Sequence, residues 1–247
     1  MIGLGVKKGN KKKKQHRHGS VTTIKSLPKD LLVEIFAKVA TTSISDLCKV
    51  KQCCKEFLHA AEEDYVYRQA SMENFALVPL TWFTKEKESV FLGRCKKSGN
   101  SEITYREGMV EYFTHSNVKL GLKNLRKAAL EGHHHEAKYA YCMILMNGED
   151  RKEGLELFCS LKASTCVRRC RGRVKSFVRN MWVNNKPVLS NCRLSLCASS
   201  TCDGKRLKKI SRTWSSSEDE NAESIEISCE CCSVDYELAL FGSMFGV

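Results

Sequence analysis

The chain of 247 residues is long enough to bury one core or two small ones, and its 42% hydrophobic content with only three prolines favours a mainly helical globular protein. It contains no run of about eighteen apolar residues, so we expect no transmembrane span and no membrane partner. The formal net charge of +13 favours an acidic partner but does not predict a fold.

Residues 1–24 form a polar, basic segment that we interpret as a disordered arm. No apolar segment follows its basic residues, so we expect no secretory signal. Without export, the 14 cysteines are expected to be reduced thiols, in a protein of the nucleus, the cytoplasm or both. The basic run is either a nuclear-import signal or a solvated tail, and the sequence favours neither.

The segment 25–70 has the pattern of a small amphipathic helical module. Pro28 suits the first turn of a helix, and apolar residues then recur at helical spacing at Leu31, Leu32, Ile35, Phe36 and Val39. Ser43 and Asp46 form a predicted capping box for a second helix, whose apolar side is Leu47, Val50, Cys54, Phe57 and Ala61. Because so small a unit has too little core to bury both stripes, we expect part of this surface to bind a partner. Periodicity alone also allows an ordinary helical hairpin packed on its own chain.

The order of these residues, from Leu27-Pro28 to Cys54-Lys55 and Phe57, resembles an F-box. The resemblance implies a three-helix module that binds a Skp-type adaptor and, through it, a cullin. The residues that it implies for the adaptor surface are Leu27, Pro28, Leu31, Ile35, Leu47, Val50, Cys54 and Phe57. The same stripe must also hold the helices together, and the sequence does not divide the residues between the two roles.

Residues 71–97 are predicted as linker helices, the last of which stops at Gly99. An internal repeat follows, because residues 98–113 and 131–146 align with an offset of 34 when one inserted residue is allowed. The second copy resembles a Sel-type repeat, a relative of the tetratricopeptide repeat, and predicts a short helical-repeat domain over 98–186. The adjacent histidines 133–135 cannot all face one metal ion, so we interpret them as turn residues at the repeat boundary.

A basic helix is predicted over residues 164–182, with an apolar stripe directed at the core. Arginines crowd its other faces, and five of them are candidates for contact with a target, namely Arg168, Arg169, Arg171, Arg173 and Arg179. The alternative is a solvated basic face beside a core stripe. Few aromatic residues lie among the charges, which disfavours a base-stacking platform for nucleic acid.

Residues 187–247 are predicted to form a Cys-rich tail with an acidic loop and a terminal helix or strand that docks on the body. Two groups of cysteines suggest a structural zinc site, whose candidate ligands are Cys197, Cys202, Cys229 and Cys232. The alternative is that these thiols pack as small apolar residues. We expect no other cofactor.

The F-box pattern, the repeats and the tail together resemble a plant family of small F-box proteins. The resemblance implies a mainly α fold, in which a three-helix F-box precedes a short helical-repeat domain and a small Cys-rich C-terminal segment. It also implies a non-catalytic, substrate-recognition subunit of a Skp-cullin-F-box ubiquitin ligase that recruits a target protein through its repeats. The alternative from another class is a zinc-supported nucleic-acid-binding protein that uses the Arg-rich helix. No nucleophile elbow, P-loop or paired-carboxylate motif indicates an enzyme.

Overall fold

A computed structural model describes Ile24 and residues 27–78, 86–148, 150–164, 167–185, 202 and 229–246. Eleven α-helices and one turn of π-helix account for most of these residues, and the described ranges hold no β-strand. The mainly α fold is therefore confirmed. No helix within these ranges has the length and apolar content needed to cross a membrane. Residues 1–23 of the predicted basic arm, Cys197 and the predicted acidic loop lie outside them.

The N-terminal module consists of four helices, α1 Lys29–Thr42, α2 Ile44–Cys53, α3 Lys55–Ala61 and α4 Asp64–Gln69. Pro28 directly precedes α1. The hydroxyl of Ser43 accepts a hydrogen bond from the backbone N–H of Asp46 at 3.1 Å, so Ser43 caps α2 as predicted. The N–H of Ser43 donates to the carbonyl of Val39, so the reciprocal half of the predicted capping box does not form. The sequence pattern predicted one continuous second helix, and this prediction is wrong. Cys54 has an extended backbone, with φ −163° and ψ 168°, so the chain turns between α2 and α3.

This turn closes the core of the module. It brings the ring of Phe57 edge-on to that of Phe36 on α1, with 5.2 Å between the ring centroids. Around this pair, small residues allow the helices to approach closely, because Ala40, Ala60 and Ala61 are fully buried. The residues that share this core cluster include Leu32, Ala37, Leu47, Val66 and Tyr67.

The second region begins with α5 Glu86–Lys97, and Gly99 just beyond it adopts the left-handed φ of +81°, which glycine tolerates best. Two helix pairs follow: α6 Ser101–Phe113 with α7 Val118–Arg126, and α8 His135–Asn147 with α9 Arg151–Ser164. A π-helical turn, Lys127–Glu131, joins the pairs. Helices α6 and α8 start 34 residues apart, which confirms the predicted repeat offset.

Equivalent residues of the two repeats have equivalent packing. Tyr105 and Tyr139 are both buried, as are Met109 and Met143. Two further helices complete the same core, α10 Val167–Arg179 and α11 Glu230–Ser243. The ring of Phe245, just after α11, stacks on that of Phe113 with 4.7 Å between centroids. The predicted docking of the C-terminal segment is confirmed, and its secondary structure is helical.

Two side chains of α6 and its cap fasten the N-terminal module to the repeats. The amide nitrogen of Asn100 lies 2.9–3.1 Å from the carbonyl oxygens of residues 67, 68 and 70. The guanidinium of Arg106 donates to the carbonyls of residues 72, 75 and 76 at 2.9–3.2 Å. Both side chains are nearly inaccessible to solvent. Buried hydrogen bonds therefore join the N-terminal module to the first repeat.

Candidate functional site

An exposed apolar stripe runs along one side of α1. Leu31 and Ile35 are separated by one helical turn and are 51% and 37% exposed, and Pro28 before them is also exposed. On the opposite side, Leu32 and Phe36 are buried in the core of the module. The core is thus complete beneath the stripe, which leaves these apolar side chains available to a partner.

The remaining residues predicted for the adaptor surface differ in exposure. Leu27, Val50 and Cys54 are half-buried. Leu47 and Phe57 are buried, with 0% and 9% exposure, and both belong to the core of the module. The expectation that these two face the adaptor is therefore corrected, because the turn at Cys54 directs Phe57 onto α1.

Three further apolar residues of this region, which the sequence pattern did not single out, are exposed. Nine large hydrophobic side chains are exposed in the described part of the chain, and five of them lie between residues 24 and 65. Besides Leu31 and Ile35, these are Ile24, Leu58 and Tyr65. The apolar periodicity of the sequence did not predict that Leu58 is exposed, because its direction depends on where α3 begins.

A half-buried polar network joins α2 to the end of α3 and to α4 within the module. The ammonium group of Lys51 on α2 donates to Glu62 at 2.8 Å and to the hydroxyl of Tyr67 at 2.7 Å. Burial acts to lower the pKa of Lys51, but the hydrogen bonds to Glu62 and Tyr67 outweigh it, and the pKa is raised. Lys51 therefore stays charged and ties α2 to the segment that leads into α4.

The basic helix α10 uses part of its charge inside the fold. Arg171 forms an ion pair with Glu237 of α11, and both side chains are largely buried. Arg173 donates to Glu136 at 3.0 Å. Arg171 is largely buried in its ion pair, so the prediction that it contacts a target is corrected. Arg173 stays 54% exposed beside Glu136, so its contact with a target stays a prediction. The other candidates, Arg168, Arg169 and Arg179, are also exposed.

The repeat boundary contains an ion network that the sequence pattern did not reveal. His134 caps α8, since its Nδ1 accepts from the backbone N–H of Ala137 at 3.1 Å, and its Nε2 lies 2.6 Å from Glu102. Arg106 also contacts Glu102 at 2.6 Å. Burial would raise the pKa of Glu102, but His134 and Arg106 lower it to about 2. Of the three histidines interpreted as turn residues, His134 is thus a helix cap.

This network lines a polar cavity of about 230 Å³ between the N-terminal module and the repeats. Asn100, Glu102, Arg106 and His134 all border it. Their polar groups contact one another or nearby backbone carbonyls. The residues that line the cavity therefore serve to hold the junction together.

Three of the four candidate metal ligands lie together. The sulfur atoms of Cys202, Cys229 and Cys232 are all within 4.8 Å of one another, although Cys202 is distant from the other two in sequence. Cys197 lies outside the described residues, so its place in the set stays a prediction. Cys232 is buried, and the other two cysteines are half-buried.

Comparison with known families divides the chain at the same junction. An F-box-like model matches residues 24–73, and a model described as plant tetratrico peptide repeats matches residues 75–179. The first match covers the module with the exposed stripe on α1. The second covers the helices α5 to α10.

Three Arabidopsis thaliana proteins that carry the name F-box protein are similar to this chain. The first is 33% identical over 138 residues, which are 55% of this chain and 45% of the relative. The second is 28% identical over 134 residues, which are 54% of this chain and 80% of the relative. The third is 28% identical over 144 residues, which are 56% of this chain and 42% of the relative. The match thus spans less than half of the first and third relatives. No solved structure matches the chain.

The similarity to these relatives and to the two family models agrees with the two helical regions of the structure. The chain contains an F-box-like domain followed by plant tetratricopeptide repeats, the organisation of a plant F-box protein with helical repeats.

Proposed function

We propose that this chain is the substrate-recognition subunit of a Skp-cullin-F-box ubiquitin ligase. Its F-box-like module binds a Skp-type adaptor and, through it, a cullin, while the repeat domain holds a target protein. The observation that carries the proposal is the exposed stripe of Pro28, Leu31 and Ile35, which lies inside the F-box-like region and above a complete core.

The size of the hydrophobic effect supports a stable contact at this stripe. Burying a fully exposed Leu or Ile side chain is worth about 1.5–3 kcal/mol, so even half-exposed side chains contribute substantially when several are covered at once. A partner could cover Leu31 and Ile35 together, because they are one helical turn apart and need no rearrangement of the core.

The buried junction gives the proposed receptor its geometry. Asn100 and Arg106 bond the F-box-like module to the first repeat, so a target on the repeats would be held at a defined place relative to the adaptor. A target lysine held near the ubiquitin-charged enzyme reacts as if at high local concentration. The chain itself needs only to position the target relative to the ubiquitin-charged enzyme.

The buried thiols are consistent with a non-catalytic role. Burial raises the pKa of Cys95 to about 12 and raises that of Cys142 as well. A protonated, inaccessible thiol is a poor nucleophile. These two cysteines therefore serve as apolar core residues.

For the target surface, the exposed arginines of α10 are the best supported residues. Four of the five candidates, Arg168, Arg169, Arg173 and Arg179, are exposed, whereas Arg171 is largely buried in its ion pair with Glu237. Guanidinium groups recognise carboxylate or phosphate groups well, so the proposed target presents an acidic or phosphorylated segment. No comparison supports the nucleic-acid-binding alternative.

The adaptor contact is tested by calorimetric titration of the full chain with a Skp-type adaptor. A double variant, Leu31→Ala with Ile35→Ala, is expected to weaken binding by about tenfold or more, because each truncation removes apolar area at the centre of the contact. The matched control is Val118→Ala with Leu120→Ala, which truncates two similarly exposed side chains on α7.

The control should bind the adaptor as the unchanged chain does. Equal affinity of both double variants, or no adaptor binding by the unchanged chain, would contradict the proposal. Circular dichroism of each variant establishes that its helices are intact.

A further inference from the structure

We infer that Cys202, Cys229 and Cys232 form a zinc-binding site at the N-terminus of α11. Their three sulfur atoms lie within 4.8 Å of one another, and those of Cys202 and Cys232 are 3.5 Å apart. Tetrahedral zinc with Zn–S bonds of about 2.3 Å places its sulfur ligands about 3.8 Å apart. A disulfide would require about 2.05 Å between two sulfur atoms. The spacing of the cluster is therefore close to that of a zinc site.

The position of the cluster on α11 favours the thiolate form that zinc requires. Cys229 is the N-cap of this 14-residue helix, and Cys232 lies in its first turn. The backbone N–H groups and the macrodipole at a helix N-terminus stabilise negative charge, such as that of zinc-bound thiolates. A divalent cation would add to this effect and replace the thiol protons.

The composition of the site identifies zinc as the class of ligand. Three cysteines from two distant parts of the chain suit soft, tetrahedral binding, whereas calcium and magnesium prefer oxygen ligands. The three side chains leave the fourth tetrahedral position for water or for one more ligand. Cys231 does not belong to the cluster, although it lies between two of its members in sequence.

A metal at this place would have a structural consequence. Helix α11 packs on the repeat core through Val234, Leu238 and Phe241, and zinc would attach Cys202 to its first turn. The bond would close a loop between Cys202 and Cys229. Closing a loop reduces the conformational entropy of the unfolded chain, so the ion stabilises the folded state.

The test is the zinc content of the full chain, purified under reducing conditions without chelator. We expect about one zinc ion per chain, and its loss in the variants Cys202→Ser and Cys229→Ser, whose side chains are only half-buried. The matched control is Cys231→Ser, which removes a half-buried thiol from the same helical turn and should retain the metal. Cobalt in place of zinc provides a second measurement, since its thiolate charge-transfer absorption reports sulfur ligation in the unchanged chain.

The inference is overturned if the unchanged chain fails to take up zinc, or if Cys231→Ser loses as much zinc as the other two variants. Mass spectrometry that finds a disulfide between Cys202 and Cys232 after reducing purification and zinc addition would also overturn it. Circular dichroism and thermal unfolding of each variant monitor the fold separately from metal binding.

Discussion

Asn100 and His134 stand at equivalent positions of successive repeats, 34 residues apart, and each caps the first helix of its repeat with its own side chain. The amide oxygen of Asn100 accepts from the N–H groups of Glu102 and Ile103, and Nδ1 of His134 accepts from that of Ala137. The remaining polar group of each side chain, the amide nitrogen of Asn100 and Nε2 of His134, reaches the preceding unit. The Asn100 amide bonds to the F-box-like module, and His134 bonds to Glu102 of the first repeat. One position therefore both starts a helix and joins two units.

We expect Asn100→Asp to destabilise the chain, even though aspartate is as good a helix cap as asparagine. The change removes the amide donor and places a carboxylate beside three buried carbonyl oxygens. The free energy of unfolding, measured by urea denaturation, should fall by about 2 kcal/mol or more.

The matched control is Asn117→Asp, at the exposed cap of α7, where the side chain only accepts a bond from the N–H of Leu120. Its effect should stay within about 0.5 kcal/mol. Similar effects of the two changes would show that the carbonyl bonds of Asn100 contribute little.

Acid should weaken the fold through Glu102. Its pKa falls from 4.5 to about 2 in the folded chain, because the hydrogen bond and charge of His134 and the charge of Arg106 outweigh burial. The folded state thus binds this proton more weakly than the unfolded state. The ionised Glu102 therefore contributes up to about 3 kcal/mol to the free energy of unfolding. This contribution is complete above the unfolded pKa and is lost as the pH falls from about 4.5 towards 2.

The measurement is urea denaturation at neutral pH and at about pH 3, comparing the unchanged chain with Glu102→Gln. The unchanged chain should lose more stability than the variant, since all other carboxyl groups titrate in both. Glu107→Gln is the control, because it breaks an exposed ion pair with Lys96 that is expected to be worth little. If Glu102→Gln keeps the full acid sensitivity, the network does not depend on this charge.

Two glycines should respond in opposite directions to alanine. A Cβ atom on Gly121 would lie 2.6 Å from Cβ and 2.7 Å from the backbone of Tyr112, where α6 and α7 cross. Backbone atoms cannot move aside cheaply, so we expect Gly121→Ala to destabilise the first repeat by about 1–3 kcal/mol or more.

The companion variant is Gly172→Ala on α10, where a Cβ atom would meet nothing within 4 Å. Alanine is the better helix former, so this change should stabilise the chain by about 0.5–1 kcal/mol. Thermal unfolding of both variants provides the comparison. A neutral Gly121→Ala would mean that the two helices separate without cost.

The periodic features of the chain were predictable because they depend on neighbours in sequence. The offset of 34 placed Tyr105 and Tyr139 at equivalent sites, and both are buried in the structure. The cap of α2 at Ser43 and the end of α5 before Gly99 also follow from local rules of helix termini. The same local pattern did not show whether Leu47 is buried or exposed, because one apolar stripe can face a core or a partner.

By itself, the sequence determined the helical class, the position of the F-box-like module and the repeat period, because hydrophobic spacing and caps act over a few residues. Only the tertiary structure decided which groups meet from far apart. It buried Phe57, paired Arg171 with Glu237 and brought Cys202 to Cys232. The physical reason is that burial and pairing depend on where whole helices pack, and a turn as short as that at Cys54 redirects them.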